Sequence, residues 1–307
     1  MNFEIFVLGT GGMMPLPGRF LTSAMVRREG DLFLFDCGEG TQISLKMLAL
    51  KWKKISAIFI THMHADHVTG LPGMLMLSSQ VERDEPLHIY GPPRLKEYID
   101  QTRRILDMYI NYEIVVHTVS EGRVLETPEY TIEAFKLDHT KPCFGYTLRE
   151  KMRPGIFFPE KALALGVPQG PLWAKLQSGT PVEGEGGKLI HPHEVMGESR
   201  SGRGFSFVTD TLYSPKIAHH VKGVDLLLCE GMFEDALLES ALEKKHMTAT
   251  QAAQIALDGE VEKMGLIHYS PRYNDWELKR LLKEAQEIFP KSFLARDGMV
   301  FNIPLKD

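Results

Sequence analysis

Long apolar stretches are missing from this sequence, since no run approaches the roughly 20 residues that a helix needs to cross a bilayer. Residues 1–12 also lack the basic stretch followed by an apolar one that marks a secretory signal. Cysteine is scarce: Cys37, Cys143 and Cys229 are widely spaced and odd in number, which predicts no disulfide framework. We therefore expect a protein without a membrane span that works in the reducing cytoplasm.

Basic residues are also outnumbered by acidic ones. The chain has 35 lysine and arginine residues and 40 aspartate and glutamate residues, which gives a formal net charge of −5. This balance argues against a simple nucleic-acid binder, which usually carries a basic footprint. It does not exclude one, because a metal pair and a local basic patch can act inside an acidic protein. Hydrophobic residues make up 43% of the 307 residues, which is enough for a large core.

Short apolar runs recur along the chain, each closed by a polar or glycine-rich turn, and we interpret them as strands. Between them, apolar residues recur at helical spacing. Because strands and helices alternate, the sequence predicts an α/β protein with layers of sheet and helix. The predicted strands are 3–8, 32–35, 55–60, 87–90, 130–137, 205–208, 224–228 and 264–267, and the predicted helices are 40–50, 93–108, 249–258 (capped by Thr248) and 275–289.

Residues 151–204 differ from the rest of the chain because they are rich in glycine and proline. So long a stretch inside a compact domain is usually functional or disordered, and a tolerated surface insertion is the plain alternative. We expect its aromatic residues Phe157, Phe158 and Trp173 to be exposed. The prediction is a single domain over residues 1–307 that carries 151–204 as an inserted arm.

The strongest functional signal is the segment 61–67, which reads Thr-His-Met-His-Ala-Asp-His. Its imidazoles and carboxylate directly follow a predicted buried strand, and both groups are usual zinc ligands. Residues two apart on a tight turn can face one ion together, and the next helix can aim Asp66 and His67 at a second ion. A lone histidine is more often a core or surface residue. Four such groups favour a metal site, because burying them unpaired would cost several kcal/mol.

Three further residues of ligand type, His139, Asp210 and His268, stand at the ends of predicted strands. Strand ends along one edge of an α/β sheet are where sites are built, so these residues can converge on the cluster. Each alone has a plain alternative as a turn residue or a strand-end cap. Together with the four ligand-type residues of the cluster they make seven, which suits two ions that share one carboxylate.

These residues resemble the motif of the metallo-β-lactamase superfamily, whose fold is a four-layer αββα sandwich. The resemblance implies two zinc ions per chain, bridged by Asp210. It also implies that Asp36 steadies the site from behind the ligands. The implied ligands are His62, His64 and His139 for one ion, and Asp66, His67 and His268 for the other.

Further segments are similar to the tRNase Z family in particular, and the similarity covers nearly the whole chain. It implies a zinc-dependent endoribonuclease that removes the 3′ trailer from precursor tRNA and leaves a 3′-hydroxyl. It also implies a homodimer in which a flexible arm clamps the elbow of the tRNA bound to the partner subunit. The similar segments are 36–42 (Asp-Cys-Gly-Glu-Gly-Thr-Gln), 70–73, Glu230 with 246–249, 268–273 (His-Tyr-Ser-Pro-Arg-Tyr), and 166–171 in the arm, with Gly166, Pro168, Gly170 and Pro171.

The resemblance also implies roles for individual residues. Asp66 would orient the attacking water or accept its proton, and His246, positioned by Glu230, would protonate the leaving oxygen. Ser270 and Arg272 would bind backbone phosphate. From chain position alone, His246 reads equally well as a histidine at a helix start, and Arg272 as a surface residue.

The sequence departs from the tRNase Z pattern in its first loop, which reads Pro-Leu-Pro-Gly-Arg-Phe over 15–20 where the family often reads P-x-K-x-R-N. This loop keeps Arg19, which the resemblance places near the nucleotides at the cleavage point. Competing hypotheses are a zinc hydrolase of small phosphodiesters or (thio)esters, a diiron redox protein, and a catalytically silent RNA-binding relative. A diiron redox protein would have glutamate at the position of His64, which argues against that hypothesis. The presence of all seven ligand-type residues argues against a catalytically silent relative.

Overall fold

The computed structural model of the chain describes residues 2–80 and 83–306. It contains two compact units, one formed by Met1–Arg149 and Arg203–Pro304 and the other by Glu150–Gly202 and Leu305–Asp307. Each unit has a hydrophobic core of its own. Within the described ranges, none of the helices is long and apolar enough to cross a membrane.

Sixteen strands lie within the described residues. Strand β4 (Ile55–Phe59) is buried along nearly its whole length, as expected of a parallel strand covered on both faces. Strand β8 (Tyr130–Leu137) largely alternates buried and more exposed residues, because only one of its faces packs on the core. The others are β1 (Phe3–Gly9), β2 (Ser23–Arg28), β3 (Asp31–Phe35), β5 (Leu87–Gly91), β6 (Ile114–Thr118), β7 (Gly122–Glu126), β9 (Cys143–Glu150), β10 (Val182–Glu183), β11 (Leu189–Ile190), β12 (Gly204–Val208), β13 (Leu226–Glu230), β14 (Met264–Ile267), β15 (Ser292–Leu294) and β16 (Val300–Asn302).

The described part of the chain also forms eleven α-helices. Helix α11 (Leu278–Ile288) buries Leu278, Leu281 and Ala285, whose spacing of three and four puts them on one face. Helix α10 (Ala249–Asp258) begins at a capping box in which Thr248 and Gln251 bond to each other's backbone N–H. The others are α1 (Thr41–Met47), α2 (Ala65–Val68), α3 (Leu71–Gln80), α4 (Leu95–Ile105), α5 (Pro159–Ala164), α6 (Pro171–Gln177), α7 (Pro192–Val195), α8 (Lys216–Val221) and α9 (Leu238–Lys244).

The two large sheets have seven strands each. The first has the order β16-β1-β2-β3-β4-β5-β6, with β3 to β6 parallel. The second has the order β15-β14-β13-β12-β9-β8-β7, with β12 to β15 parallel. Because neighbouring parallel strands end at the same edge of a sheet, the residues that follow β3 and β4 lie together, and so do those that follow β12, β13 and β14.

The sheets pack face to face on an aromatic core. Phe35 of the first sheet stacks on Phe59 at 5.2 Å between ring centroids and meets Phe205 of the second sheet edge-on at 5.4 Å. Apolar side chains of α1, α3 and α4 pack on the outer face of the first sheet, and those of α8, α10 and α11 on that of the second. The architecture is therefore the predicted four-layer αββα sandwich.

The second unit is a small fold with its own core, and here one prediction was wrong. Phe157 and Trp173 pack with ring centroids 5.2 Å apart, and the Trp173 Nε1–H donates to the Val167 carbonyl at 2.9 Å. Both are half-buried, as is Phe158, because prolines at the helix starts let three short helices form and enclose an apolar centre. The buried centre is Ala162, Val167, Leu176, Val182, Ile190 and Val195.

All predicted strands and helices are present, with boundaries shifted by up to three residues. Two of the elements that the sequence did not reveal have an interrupted pattern. Helix α3 carries Pro72 and Gly73 in its first turn, and β9 includes Gly145 and Thr147. Their conformations are decided by packing and by strand pairing rather than by local periodicity.

Candidate metal and catalytic site

One group of ligand atoms gathers where β4, β8 and β12 end. The Nδ1 atom of His64 lies 3.0 Å from His62 Nε2 and 3.2 Å from His139 Nε2. The Oδ2 atom of Asp210 completes the group, 3.6 Å from His62 Nε2 and 3.7 Å from His139 Nε2. These separations suit donor atoms that surround one ion at the 2.0–2.1 Å typical of zinc–nitrogen bonds.

A second group shares Asp210 with the first. The other oxygen of Asp210, Oδ1, lies 3.3 Å from His67 Nε2 and 3.2 Å from His268 Nε2. Asp66 Oδ2 faces the same two imidazoles at 3.7 and 3.9 Å. Each oxygen of Asp210 therefore belongs to a different group.

The remaining ring nitrogens are held by the protein, which fixes the direction of each imidazole. His67 Nδ1 donates to Asp36 Oδ2 at 2.6 Å, and His139 Nδ1 donates to the Lys245 carbonyl at 2.9 Å. Thr22 Oγ1 lies 2.9 Å from His268 Nδ1 and donates to the Gly11 carbonyl, so it accepts from the imidazole. Such partners orient metal-binding histidines and leave the other nitrogen free for the metal.

The ligand atoms that face one another in these two groups are suited to bind a cation. His67 Nε2 and Asp210 Oδ1 are buried and have no hydrogen-bond partner among the described residues. In its neutral form with Nδ1 protonated, His67 presents a lone pair on Nε2, and Asp210 presents only acceptors. Burying such atoms face to face costs free energy unless a positive ion lies between them. Imidazole and carboxylate donors in this arrangement form a metal-binding site.

The charge states of three ligands agree with metal binding. Burial lowers the pKa of His62 far below its usual range and also lowers the pKa of His139, so both are neutral at pH 7. Burial alone would raise the pKa of Asp210, but the surrounding imidazoles, led by His268, hold that pKa well below its usual range. Metal ligands must be deprotonated in this way.

The charge state of His67 is different. Burial lowers its pKa, but the carboxylates of Asp210, Asp36 and Asp66 outweigh burial and raise the pKa well above its usual range. A bound cation must therefore displace the proton of His67.

Asp36 lies behind the cluster. Its Oδ1 accepts from the Thr61 backbone N–H at 2.7 Å, and its Oδ2 accepts from Thr61 Oγ1 at 2.8 Å as well as from His67. The residue is buried and has a left-handed backbone, with φ of 53°. It therefore ties the end of β3 to the loop after β4.

Two glycines allow these loops to approach each other. The Cys37 N–H donates to the His67 carbonyl, and the Gly70 N–H donates to the Cys37 carbonyl, both at 2.9 Å. A Cβ on Gly70 would lie 2.2 Å from the Gly38 carbonyl oxygen. Only glycine fits at position 70 without moving the loop that carries Asp66 and His67.

His246 stands beside the shared carboxylate. Its Nδ1 lies 3.1 and 3.2 Å from the two oxygens of Glu230, and its Nε2 lies 3.9 Å from Asp210 Oδ2. Burial lowers the pKa of His246, but Glu230 outweighs burial and raises it to about 9. Glu230 is itself fixed, because its Oε1 accepts from the Thr211 N–H at 2.7 Å.

The site opens into a cavity of about 350 Å³. Ser270 and Arg272 line it, with Arg272 Nε donating to Ser270 Oγ at 3.0 Å and the guanidinium over the Phe233 ring. Met13 also lines it, and its backbone N–H donates to Asp66 Oδ2 at 2.7 Å. Several of the lining residues are not predicted from the sequence because no ligand-type spacing marks them; they are Met13, Thr140, Met232, Phe233 and Lys244.

The other predicted substrate-binding residues lie outside this cavity. The guanidinium of Arg19 is bonded to the Tyr273 carbonyl and to Asp275. In the second unit, Gly166 ends the turn after α5 with φ of 74°, Gly170 and Pro171 begin α6, and Pro168 lies between them. Contact of these four arm residues with substrate remains a prediction.

The similarity to known proteins extends over the whole chain. A ribonuclease Z of Treponema denticola is 61% identical over 100% of both chains, and that of Treponema pallidum is 59% identical over 100% of this chain and 99% of the relative. A family model described as anti-Pycsar protein Apyc1 matches residues 3–158, which end before Asp210, Glu230 and His268. The full-length relatives therefore decide the assignment.

The chain belongs to the ribonuclease Z family. As a ribonuclease Z, it is a hydrolase that acts on RNA. Among solved structures, the short form of human tRNase Z matches with 27% identity and a TM-score of 0.72, over 98% of this chain and 100% of that one. The metallo-β-lactamase-fold protein YhfI of Bacillus subtilis matches with 17% identity and a TM-score of 0.68, over 98% of this chain and 99% of that one, and shows the shared fold.

Replacing Gly70 by alanine should loosen the metal site of this ribonuclease Z. The added methyl group must displace the Gly38 carbonyl, so we expect a loss of about 1–3 kcal/mol in unfolding free energy, together with weaker metal retention. Denaturant unfolding and elemental analysis measure the two effects. Gly30→Ala is the matched control, because a Cβ there meets nothing within 4 Å. Equal stability of the two variants would contradict the packing argument.

Proposed function

We propose that this chain is a zinc-dependent endoribonuclease that cleaves the 3′ trailer from precursor tRNA and leaves a 3′-hydroxyl. The observation that carries the proposal is the position of His246: its Nδ1 is held by Glu230 and its Nε2 faces the Asp210 carboxylate that joins two ligand groups. This pairing places a proton donor beside a metal site, which hydrolysis of an ester with a poor leaving group requires.

Two zinc ions would occupy the two ligand groups, with His62, His64 and His139 on one, Asp66, His67 and His268 on the other, and Asp210 between them. When bound, they supply an activated water and offset the charge that grows on the phosphoryl oxygens. Asp66 orients that water or takes up its proton. Its Oδ2 is fixed by the Met13 N–H, so its position is set before substrate binds.

His246 acts on the leaving group. A histidine with a pKa of about 9 keeps its proton at pH 7, and Glu230 holds the ring so that Nε2–H faces the cavity. That proton goes to the ribose 3′-oxygen as the P–O bond breaks. The products are a tRNA with a 3′-hydroxyl and a trailer with a 5′-phosphate.

Substrate binding is divided between the two units. Ser270 and Arg272 line the cavity and would hold backbone phosphate near the reacting bond. The arm, predicted as 151–204, would grip the tRNA elbow through the segment that holds Gly166, Pro168, Gly170 and Pro171. Its compact fold, with a core of its own, supports a binding role better than that of a loose linker.

A homodimer is part of the proposal. The neighbouring helices α1 and α3 leave Ile43, Met47 and Met76 exposed, with Met47 accessible over 74% of its surface. A second copy of the chain would cover these side chains. A cytoplasmic location follows from the substrate, and the three buried free thiols fit a reducing compartment.

The alternative function, hydrolysis of small phosphodiesters or (thio)esters, is not favoured. The curated relatives that match the whole chain at 59–61% identity are named ribonuclease Z. The most direct test is incubation of the zinc-loaded protein with end-labelled precursor tRNA, alongside bis-p-nitrophenyl phosphate. Hydrolysis of the nitrophenyl ester without any cut at the 3′ end of the tRNA would favour the alternative.

Metal content tests the two-ion site. Zinc-reconstituted protein should hold two ions per chain by elemental analysis, and Asp210→Ala should lower that number because both groups lose a ligand. Asp258→Ala, an exposed carboxylate outside the site, serves as control. A content near zero in the reconstituted wild type would refute the proposal.

The leaving group tests His246. His246→Ala should slow cleavage of precursor tRNA about 10²–10⁴-fold, because a ribose oxygen needs a proton, and should slow nitrophenolate release far less. His219→Ala removes an exposed histidine on α8 and should change neither rate. Equal losses on both substrates would show that His246 is not the acid.

Removal of the arm tests its role in binding. Arg149 and Gly204 pair directly across β9 and β12, so a short Gly-Ser turn can replace residues 152–201. A smaller deletion would leave half of the arm's hydrophobic core without the residues that it packs against. Precursor tRNA should then bind more weakly, with a smaller salt dependence, while bis-p-nitrophenyl phosphate hydrolysis persists. If both activities fall together the arm is structural, and if neither falls it does not bind tRNA.

A further inference from the structure

The first loop, residues 12–20 between β1 and β2, forms part of the wall of the cavity. Leu16 and Arg19 exchange backbone hydrogen bonds of 2.9 Å around a turn at Pro17 and Gly18, where Gly18 has φ of 75°. The Gly12 N–H donates to the Tyr269 carbonyl at 2.9 Å, next to His268. The loop is therefore a small hairpin that rests on the segment 268–275.

Arg19 fastens the base of this hairpin. Its Nη1 donates to the Tyr273 carbonyl at 3.0 Å, and its Nη2 pairs with Asp275 Oδ1 at 2.8 Å. The Arg19 side chain is 11% exposed, whereas the Asp275 side chain is 76% exposed. An arginine that is enclosed and already engaged through both terminal nitrogens is poorly placed to bind a phosphate of the substrate.

A second carboxylate holds the neighbouring end of the loop. Asp297 Oδ2 accepts from the Phe20 backbone N–H at 2.6 Å, and its Oδ1 accepts from Thr10 Oγ1 at 2.7 Å. The loop is thus fixed on both sides of Arg19. At its other end, the Met13 N–H reaches Asp66.

We propose that Arg19 and Asp275 form a latch that positions the first loop, and that Arg19 does not contact the RNA. The latch keeps the Met13 N–H on Asp66 and keeps the loop in place as a wall against which the RNA end is aligned. This inference rests on the proposed function as far as its effect on catalysis is concerned. The order of the loop itself does not depend on that function.

The contribution of the Arg19–Asp275 ion pair to folding stability does not by itself account for its presence. An ion pair with one partner as exposed as Asp275 contributes little to folding, so its loss leaves the protein folded. Misplacement of a reacting group or its support by about 1 Å lowers a rate far more. Removal of Asp275 should therefore affect catalysis out of proportion to its effect on unfolding.

A double-mutant cycle separates a latch from direct binding. Arg19→Ala and Asp275→Ala should each lower kcat/KM for precursor tRNA by about tenfold, and the double variant should be no worse than the poorer single variant. Asp275→Glu should recover part of the loss. If Asp275→Ala cleaves precursor tRNA as fast as the wild type while Arg19→Ala does not, or if the two losses multiply, Arg19 binds RNA directly and the latch is refuted.

Amide hydrogen exchange tests the latch without any substrate. The N–H groups of residues 13–20 should exchange faster in Asp275→Ala than in the wild type. Arg27→Ala, which breaks the arginine–carboxylate pair with Glu4 between β1 and β2, should leave exchange in 13–20 unchanged. Unchanged exchange in Asp275→Ala would overturn the latch. If wild-type protein does not cleave precursor tRNA the proposed function fails, and this measurement still decides the latch.

Discussion

The carboxylate of Asp210 is the constraint on which the rest of the site depends. It is buried and ionised, and each of its oxygens faces a different set of imidazole nitrogens. A buried carboxylate with an oxygen that makes no hydrogen bond within the described chain is tolerable only where cations can lie next to it. The strand ends around it hold five histidines and Asp66 at distances that a pair of bound ions would satisfy.

The surrounding fold fixes the direction of these ligands. The Lys245 backbone carbonyl, the Thr22 hydroxyl and the Asp36 carboxylate bind the far nitrogens of three imidazoles and so select which nitrogen faces Asp210. The same loops are joined by backbone hydrogen bonds at Cys37 and Gly70. Ligand geometry is therefore a property of the loop contacts between the sheets, and a substitution far from any ligand atom can disturb it.

The proposed function places chemistry and recognition in different parts of the molecule. The ligand groups, His246 and Glu230 belong to the αββα unit, whereas the arm is a small fold with a separate core. Such a division would let binding energy from remote contacts serve the full substrate without altering the reacting centre. The first loop belongs to the chemical part, since it bonds to Asp66 and its base is tied down beside His268.

The sequence by itself determined the α/β class, the ligand-type residues and the elements with uninterrupted periodicity, because strand and helix spacing and the His-x-His-x-Asp-His cluster are local patterns. The tertiary structure decided what local patterns do not encode. It gave each oxygen of Asp210 its own set of imidazoles, packed Phe157 and Trp173 of the arm against a core, and engaged Arg19 with Asp275 rather than leaving it free. These outcomes join residues that are far apart in the chain, so they depend on which strand ends and loops come to lie side by side.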